Sequence, residues 1–148
     1  EARQASLIAI AKKDIPVKHW NNLGRTLTKL KEYKGLMSWG GTTFNLFLTH
    51  INIPTYPSTL LEESCRLLVM SEMEYAKKMG IPWGMSEAAF SQKDYYGNYQ
   101  YKTFGIQWLG IKRGLAEETV ISPYSTALGL SMPAYIKEAI TNLKLLEK

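Results

Sequence analysis

Cysteine and histidine are scarce in this chain, and both shortages exclude chemistry. Cys65 is the single cysteine among 148 residues, so no disulfide can form within the chain. It lies on an apolar helical stripe and reads as a small buried hydrophobe, and nothing about it argues for an oxidising compartment. The two histidines, His19 and His50, stand far apart, with no H-x-x-x-H spacing and no Cys/His cluster. No metal site and no cofactor are therefore expected. The glycines match neither G-x-G-x-x-G nor G-x-x-x-x-G-K-[ST], which removes phosphate-loop chemistry, and no G-x-S-x-G or Cys-His motif supports a nucleophilic triad. No apolar run approaches the ~18 residues of a membrane span. The first residues, "EARQASLIAIAKKD", place the acid first and the lysines last, the reverse of a secretory signal. A net charge of +5 comes from scattered lysines without an arginine-rich arm, which suits a solvated surface rather than nucleic acid.

What is present fits one globular domain with an ordinary apolar fraction of 45%. The spacing predicts a helix over 1–13, with Leu7, Ile8, Ile10 and Ala11 inward, and a short helix in "PVKHWNNLG" stopped at Gly24. Residues 25–39 suggest two short strands or an irregular loop. "GGTTFNLFLTHI" reads as a helix ending before Pro54. The strongest helix is 58–79, capped by Ser58 or Thr59 and closed at Gly80, with Leu61, Cys65, Leu68, Glu72, Tyr75 and Met79 at a three-or-four spacing. Glu72 interrupts that stripe and is expected at its edge. Residues 92–118 carry four tyrosines, Phe104 and Trp108 between glycines and predict a long, ordered loop. Two helices follow, 123–130 and 133–146, the second with Ile136, Ile140 and Leu143 inward. Val/Ile-rich strands do not alternate with helices, so a Rossmann-like sheet is not expected. Glu1 begins inside an amphipathic pattern and Lys148 ends a helix without a stop signal, which reads as a piece of a longer protein.

Carboxylates and aromatics are then the available chemical kit, and it is the kit of sugar chemistry. Cleavage of a glycosidic bond uses two carboxylates, and flat aromatic faces grip the sugar. Most acids here have structural explanations: Glu62 and Glu63 suit a helix N-terminus, Glu74 can pair with Lys77 or Lys78, and Asp94 sits in a polar turn. Glu87, in "IPWGMSEAAF", and Glu1 are harder to dismiss. From spacing alone, Ser86 as N-cap with Glu87 in the first turn of a helix is the more economical reading, and Trp39 and Trp108 read as core.

The segments "MSWGGTTFN", "EMEYAKKMGIPWGMSEAAF", "YQYKTFGIQWLGIKRGL" and "SPYSTALGL" follow one another in an order that resembles the glucoamylase-like central domain of bacterial cyclic β-1,2-glucan synthases, over essentially the whole chain. The resemblance implies a mainly α fold, a portion of an (α/α)6 toroid with long aromatic loops and room for a short β-hairpin, with residues 1–148 as a partial domain. It implies transglycosylation (cyclisation) or hydrolysis of β-1,2-glucan. Glu87 would be the nucleophile and Glu1 the general acid/base, and Trp39, Trp83, Tyr95, Tyr99, Gln100, Tyr101 and Arg113 would contact sugar. It also implies partnership with the rest of a larger multidomain chain. That chain would lie at the cytoplasmic side of the inner membrane, this segment itself being soluble and not inserted.

One departure stands out. The family's pattern carries an acid in a Met-Phe-Glu-Tyr-Leu-Met-Pro stretch where this chain reads "TFNLFLTH", so Asn45 stands in place of that acid. Two other readings remain open on the residues alone. One is a catalytically inactive carbohydrate-binding or structural remnant, and the other is a helical interaction module whose aromatics are core.

Overall fold

The helix around which the structure is built forms because its ends and its face agree. In the computed structural model, which describes residues 2–147, helix α4 runs Leu60–Met79. The Thr59 hydroxyl accepts from the Glu62 N–H at 3.3 Å, Glu62 and Glu63 occupy the first turn, and Lys77 and Lys78 the last. This ordering complements the helix dipole. Gly80 stops the helix in the left-handed conformation, φ 68°, with its N–H on the Ala76 carbonyl. Leu67, Leu68 and Val69 are buried, each contributing about 1.5–3 kcal/mol by removal from water.

Around α4 the chain lays α1 (Ala2–Ala11), α2 (His19–Asn22), strands β1 (Leu27–Leu30) and β2 (Tyr33–Leu36), α3 (Thr43–Asn52), strands β3 (Glu87–Lys93) and β4 (Tyr99–Thr103), α5 (Pro123–Leu128) and α6 (Ile136–Leu146). β1 and β2 form one antiparallel hairpin, Leu27 opposite Leu36, and β3 and β4 form another, Glu87 opposite Thr103. β2 lies against α4 so closely that a Cβ on Gly35 would stand 2.7 Å from Ser64 Cα. The Leu36 N–H donates to Ser64 Oγ at the same contact. α3 packs on another side of α4 through Phe47, and Trp83, Met85, Ile106 and Leu109 complete the core. No described helix is long and apolar enough to cross a membrane.

Five expectations are corrected. The toroid portion is not found: two hairpins interrupt the helices, α2 has four residues and α5 six, and elements so short cannot form a ring of paired helices. The long loop predicted over 92–118 is half hairpin, because Asp94 Oδ1 accepts the N–H groups of Tyr96 and Asn98 and closes a tight turn between β3 and β4. Glu87 opens a strand, not a helix. On α6 the buried positions are Ala139 and Asn142, with Tyr135 just before it, whereas Ile136 and Ile140 are about two-fifths exposed. Similarly, Ser6 is buried on α1, whereas Ile8 is half exposed. The hairpin at 27–36 and helices α3 and α4 match the predicted elements.

Candidate functional site

Glu87 leaves the core at the start of β3 with its carboxylate only partly covered. Three side chains hold it. Thr42 Oγ1 donates to Oε1 at 3.0 Å, Asn45 Nδ2 reaches the same oxygen at 3.4 Å, and Ser86 Oγ donates to Oε2 at 2.8 Å. Ser86 Oγ in turn accepts from Tyr124 OH at 2.6 Å and from the Phe44 N–H at 3.0 Å, so its hydrogen-bonding capacity is filled and its proton points at the carboxylate. Tyr124 OH also lies 3.1 Å from the Glu87 carbonyl.

Two of those donors come from one helix end. Thr42 is the N-cap of α3: its hydroxyl oxygen accepts from the Asn45 N–H at 3.2 Å while its proton goes to Glu87. The helix N-terminus that the sequence assigns to Glu87's own segment is thus supplied by α3, whose N-cap Thr42 lies 45 residues earlier. The positive end of its dipole favours a carboxylate there.

Asn45 has a further use. Its Oδ1 accepts from the Gly40 N–H at 2.9 Å, which ties the Trp39–Gly40 segment to the carboxylate. An acid at position 45 would set a second negative charge against Glu87 and present no donor. The amide supplies one.

The aromatic surround is the β3–β4 hairpin. Side chains alternate along a strand, and the register Glu87–Thr103 and Ala89–Tyr101 puts Tyr101 on the Glu87 face. Tyr101 is exposed; partial desolvation, and then the Glu87 charge, push its phenol above the ordinary value. Tyr99 falls on the same face beyond a bulge, with Lys93 Nζ 4.7 Å from its ring. Gln100 points to the other face, and Tyr95 sits at the hairpin tip against Tyr96, almost fully exposed. Trp39 is 66% exposed, so it is not the core residue that pattern suggests, whereas Trp108 packs against the core with its Nε1–H on Ser71 Oγ. Trp83 is 7% exposed and locked in the core with its ring against Gly129, so it offers no open face to a ligand. Arg113 is exposed and donates to the Gln107 carbonyl at 3.3 Å, away from Glu87 in its hydrogen bonding. Glu1 lies outside the described residues. Among the described residues no His, Cys, Asp and Glu group could hold a metal ion.

The residue that spacing misplaced is Glu72. It is 1% exposed, beneath the Glu87 shell, with Thr43 Oγ1 donating at 2.5 Å and Ser125 Oγ within 3.3–3.4 Å of both its oxygens. Thr43 and Ser125 also contact each other. Burial raises the Glu72 carboxyl to about 7, against the opposing pull of Thr43, the Met85 N–H and Ser125. Its interruption of an apolar stripe was the available signal. The hydroxyls that permit its burial lie 29 residues before it and 53 after it, out of reach of any local pattern.

This geometry can be set beside known proteins. No protein-family model matches the chain. It is similar to a segment of a cyclic β-(1,2)-glucan synthase. That protein, NdvB of Rhizobium meliloti (strain 1021), is 38% identical over 143 residues, which cover 97% of this chain and 5% of the synthase. The chain therefore spans about one-twentieth of the length of the curated relative it matches.

Proposed function

We propose that this chain supplies one wall of a glucoamylase-like carbohydrate-active site that works on β-1,2-glucan by transglycosylation or hydrolysis, with Glu87 as nucleophile. The observation that carries the reading is a half-exposed carboxylate, oriented by three side-chain donors, on the same sheet face as two exposed tyrosines. In the reaction a Glu87 oxygen attacks the anomeric carbon and the glycosidic C–O bond breaks. The departing oxygen takes a proton from a general acid, the role that resemblance assigns to Glu1. The resulting glycosyl ester is then attacked by a hydroxyl that gives its proton to the same acid/base group, and Glu87 leaves as a carboxylate. A glucan hydroxyl as acceptor gives a transferred or cyclised product, and water gives hydrolysis.

The donors have a definite part in this sequence. Hydrogen bonds from Thr42, Asn45 and Ser86 favour the ionised carboxylate and fix its aim, and the departing carboxylate recovers them in the second step. Tyr99, Tyr101 and Trp39 offer apolar faces to sugar rings, and Tyr95, Gln100 and Arg113 complete the surface on the outer side. The partners follow as β-1,2-glucan and the remainder of a larger multidomain chain, with no nucleic acid and no membrane insertion by this segment.

The test is turnover of linear β-1,2-glucan by the full-length protein and its Glu87→Gln variant, with cyclic and linear products separated by mass. The variant is expected to lose at least a thousandfold in turnover while remaining folded. Equal product from both proteins would remove Glu87 from the mechanism. Sugar binding by a wild-type protein that turns nothing over would leave the inactive-remnant reading in its place.

A further inference from the structure

We propose that Glu72 is a positioning residue for Glu87, acting from α4 through Thr43 and the Met85 backbone on the two chain segments that hold the reacting carboxylate. The inference rests on the reading of Glu87 as nucleophile.

The geometry is a short chain of contacts. Glu72 accepts from Thr43 Oγ1 at 2.5 Å and from the Met85 N–H. The Met85 carbonyl accepts from the Thr43 N–H at 3.3 Å, which stitches the start of α3 to the turn before β3. Thr42, one residue before Thr43, and Ser86, one residue after Met85, are both direct donors to Glu87. Ser125 on α5 closes the cluster from the opposite side, next to Tyr124, which anchors Ser86. A shift of Glu72 therefore reaches Glu87 through both of its main hydrogen-bond partners.

A buried carboxyl among hydroxyls is an expensive way to join three elements if joining is all it does; apolar side chains would hold them with less desolvation. What it supplies is acceptor capacity that depends on its proton. Ionised Glu72 accepts from two hydroxyls and a backbone N–H. Protonated Glu72 must itself donate to one hydroxyl, which then turns its own proton elsewhere. The titratable groups on the elements packed around it are Lys29, Tyr33, Lys34, His50, Glu87, Lys93 and Tyr124, and those of α4 itself run from Glu62 to Lys78. None is among the groups that set its charge, so burial and its three donors decide its protonation. With the carboxyl held at about 7, both forms occur at neutral pH.

The experiment compares full-length wild type, Glu72→Gln, Glu72→Asp and Ser125→Ala on linear β-1,2-glucan across pH 5–9, with Glu87→Gln as reference and circular dichroism as the fold check. Wild-type kcat is expected to fall below about pH 7. Glu72→Gln is expected to lose at least tenfold in kcat at pH 8, with KM changed less than twofold, and to lose that acid limb. Glu72→Asp should keep a limb, because it keeps the ionising group. Ser125→Ala removes one donor to the carboxylate without touching Glu87, so it should move the limb to higher pH even if Glu72→Gln fails to fold. The proposal is overturned if Glu87→Gln is inactive while Glu72→Gln and Ser125→Ala retain wild-type kcat and an unmoved profile. Full activity in Glu87→Gln would instead overturn the reading on which the proposal rests.

Discussion

The segment that delivers Glu87 is clamped by the buried side chains of Asn142 and Thr126, and the Asn142 part of the clamp can be weighed. Asn142 on α6 is 4% exposed. Its Oδ1 accepts from the Trp83 N–H at 3.0 Å, and its Nδ2 donates to the Trp83 carbonyl at 2.7 Å and to Thr126 Oγ1 at 2.8 Å. Asn142→Leu keeps the approximate volume and removes all three bonds. The Trp83 carbonyl retains Thr126 Oγ1 as a donor at 2.7 Å, so the one group orphaned is the Trp83 N–H. The orphaned Trp83 N–H costs about 1–3 kcal/mol with its lost bond included, and the two lost Nδ2 bonds cost up to about 1 kcal/mol each, offset in part by the apolar leucine, which puts the variant at about 3 kcal/mol. Hydrogen exchange in the full-length protein reads this locally: the Trp83 and Met85 amides should open roughly a hundredfold more often. Asn142→Asp should be worse than leucine at pH 7, because it buries an unpaired charge facing the Trp83 carbonyl. It should recover as the pH falls and the carboxyl gains a proton to donate. Unchanged protection in the leucine variant would refute the claim that this clamp holds the Trp83–Glu87 segment.

Other outcomes follow from the same structure. Glu72 has a folded-state value of about 7 against 4.5 for the free group. Its proton therefore stabilises the fold below about pH 4.5, and this contribution is lost as pH rises through 7, by about 3 kcal/mol in all. Glu72→Gln should flatten that part of the stability profile measured by denaturant unfolding at pH 5 and 8. Gly41→Ala places a Cβ 2.5 Å from the Ile106 carbonyl oxygen at φ 68°, so it should cost more than about 2 kcal/mol and reduce turnover by displacing Thr42. Asn45→Ala removes a donor 3.4 Å from Glu87 and should lower kcat by up to roughly tenfold in the same glucan assay. Tyr101→Ala should raise KM for the glucan roughly tenfold with kcat little changed, because it removes a sugar-facing ring that does not touch the reacting oxygens.

How much of this was legible in the residues depends on how local each cause is. Helix α4 was readable because Thr59, Glu62 and Gly80 act within its own ends. The β1–β2 hairpin was legible only as two short strands or an irregular loop, because its turn, Lys31 and Glu32, carries no glycine, proline or asparagine. The β3–β4 hairpin was hidden because its strands mix exposed tyrosines with alanine, and only the Asp94 turn marks it. The α6 stripe was misplaced by one position because Asn142, a polar residue, is drawn inward by the Trp83 backbone. The surroundings of Glu87 were not legible, because the helix N-terminus it faces belongs to α3 and the buried Glu72 beneath it takes hydroxyls from distant segments.

Catalysis with Glu87 as nucleophile requires that Glu87 become covalently glycosylated. The most direct test mixes the full-length protein with a β-1,2-linked glucosyl donor bearing a good leaving group, quenches in acid during turnover, and maps peptides by mass. The account predicts a glycosyl increment on the peptide containing Glu87, absent from Glu87→Gln. Turnover with that peptide unlabelled, or with the increment on another carboxylate, would contradict it.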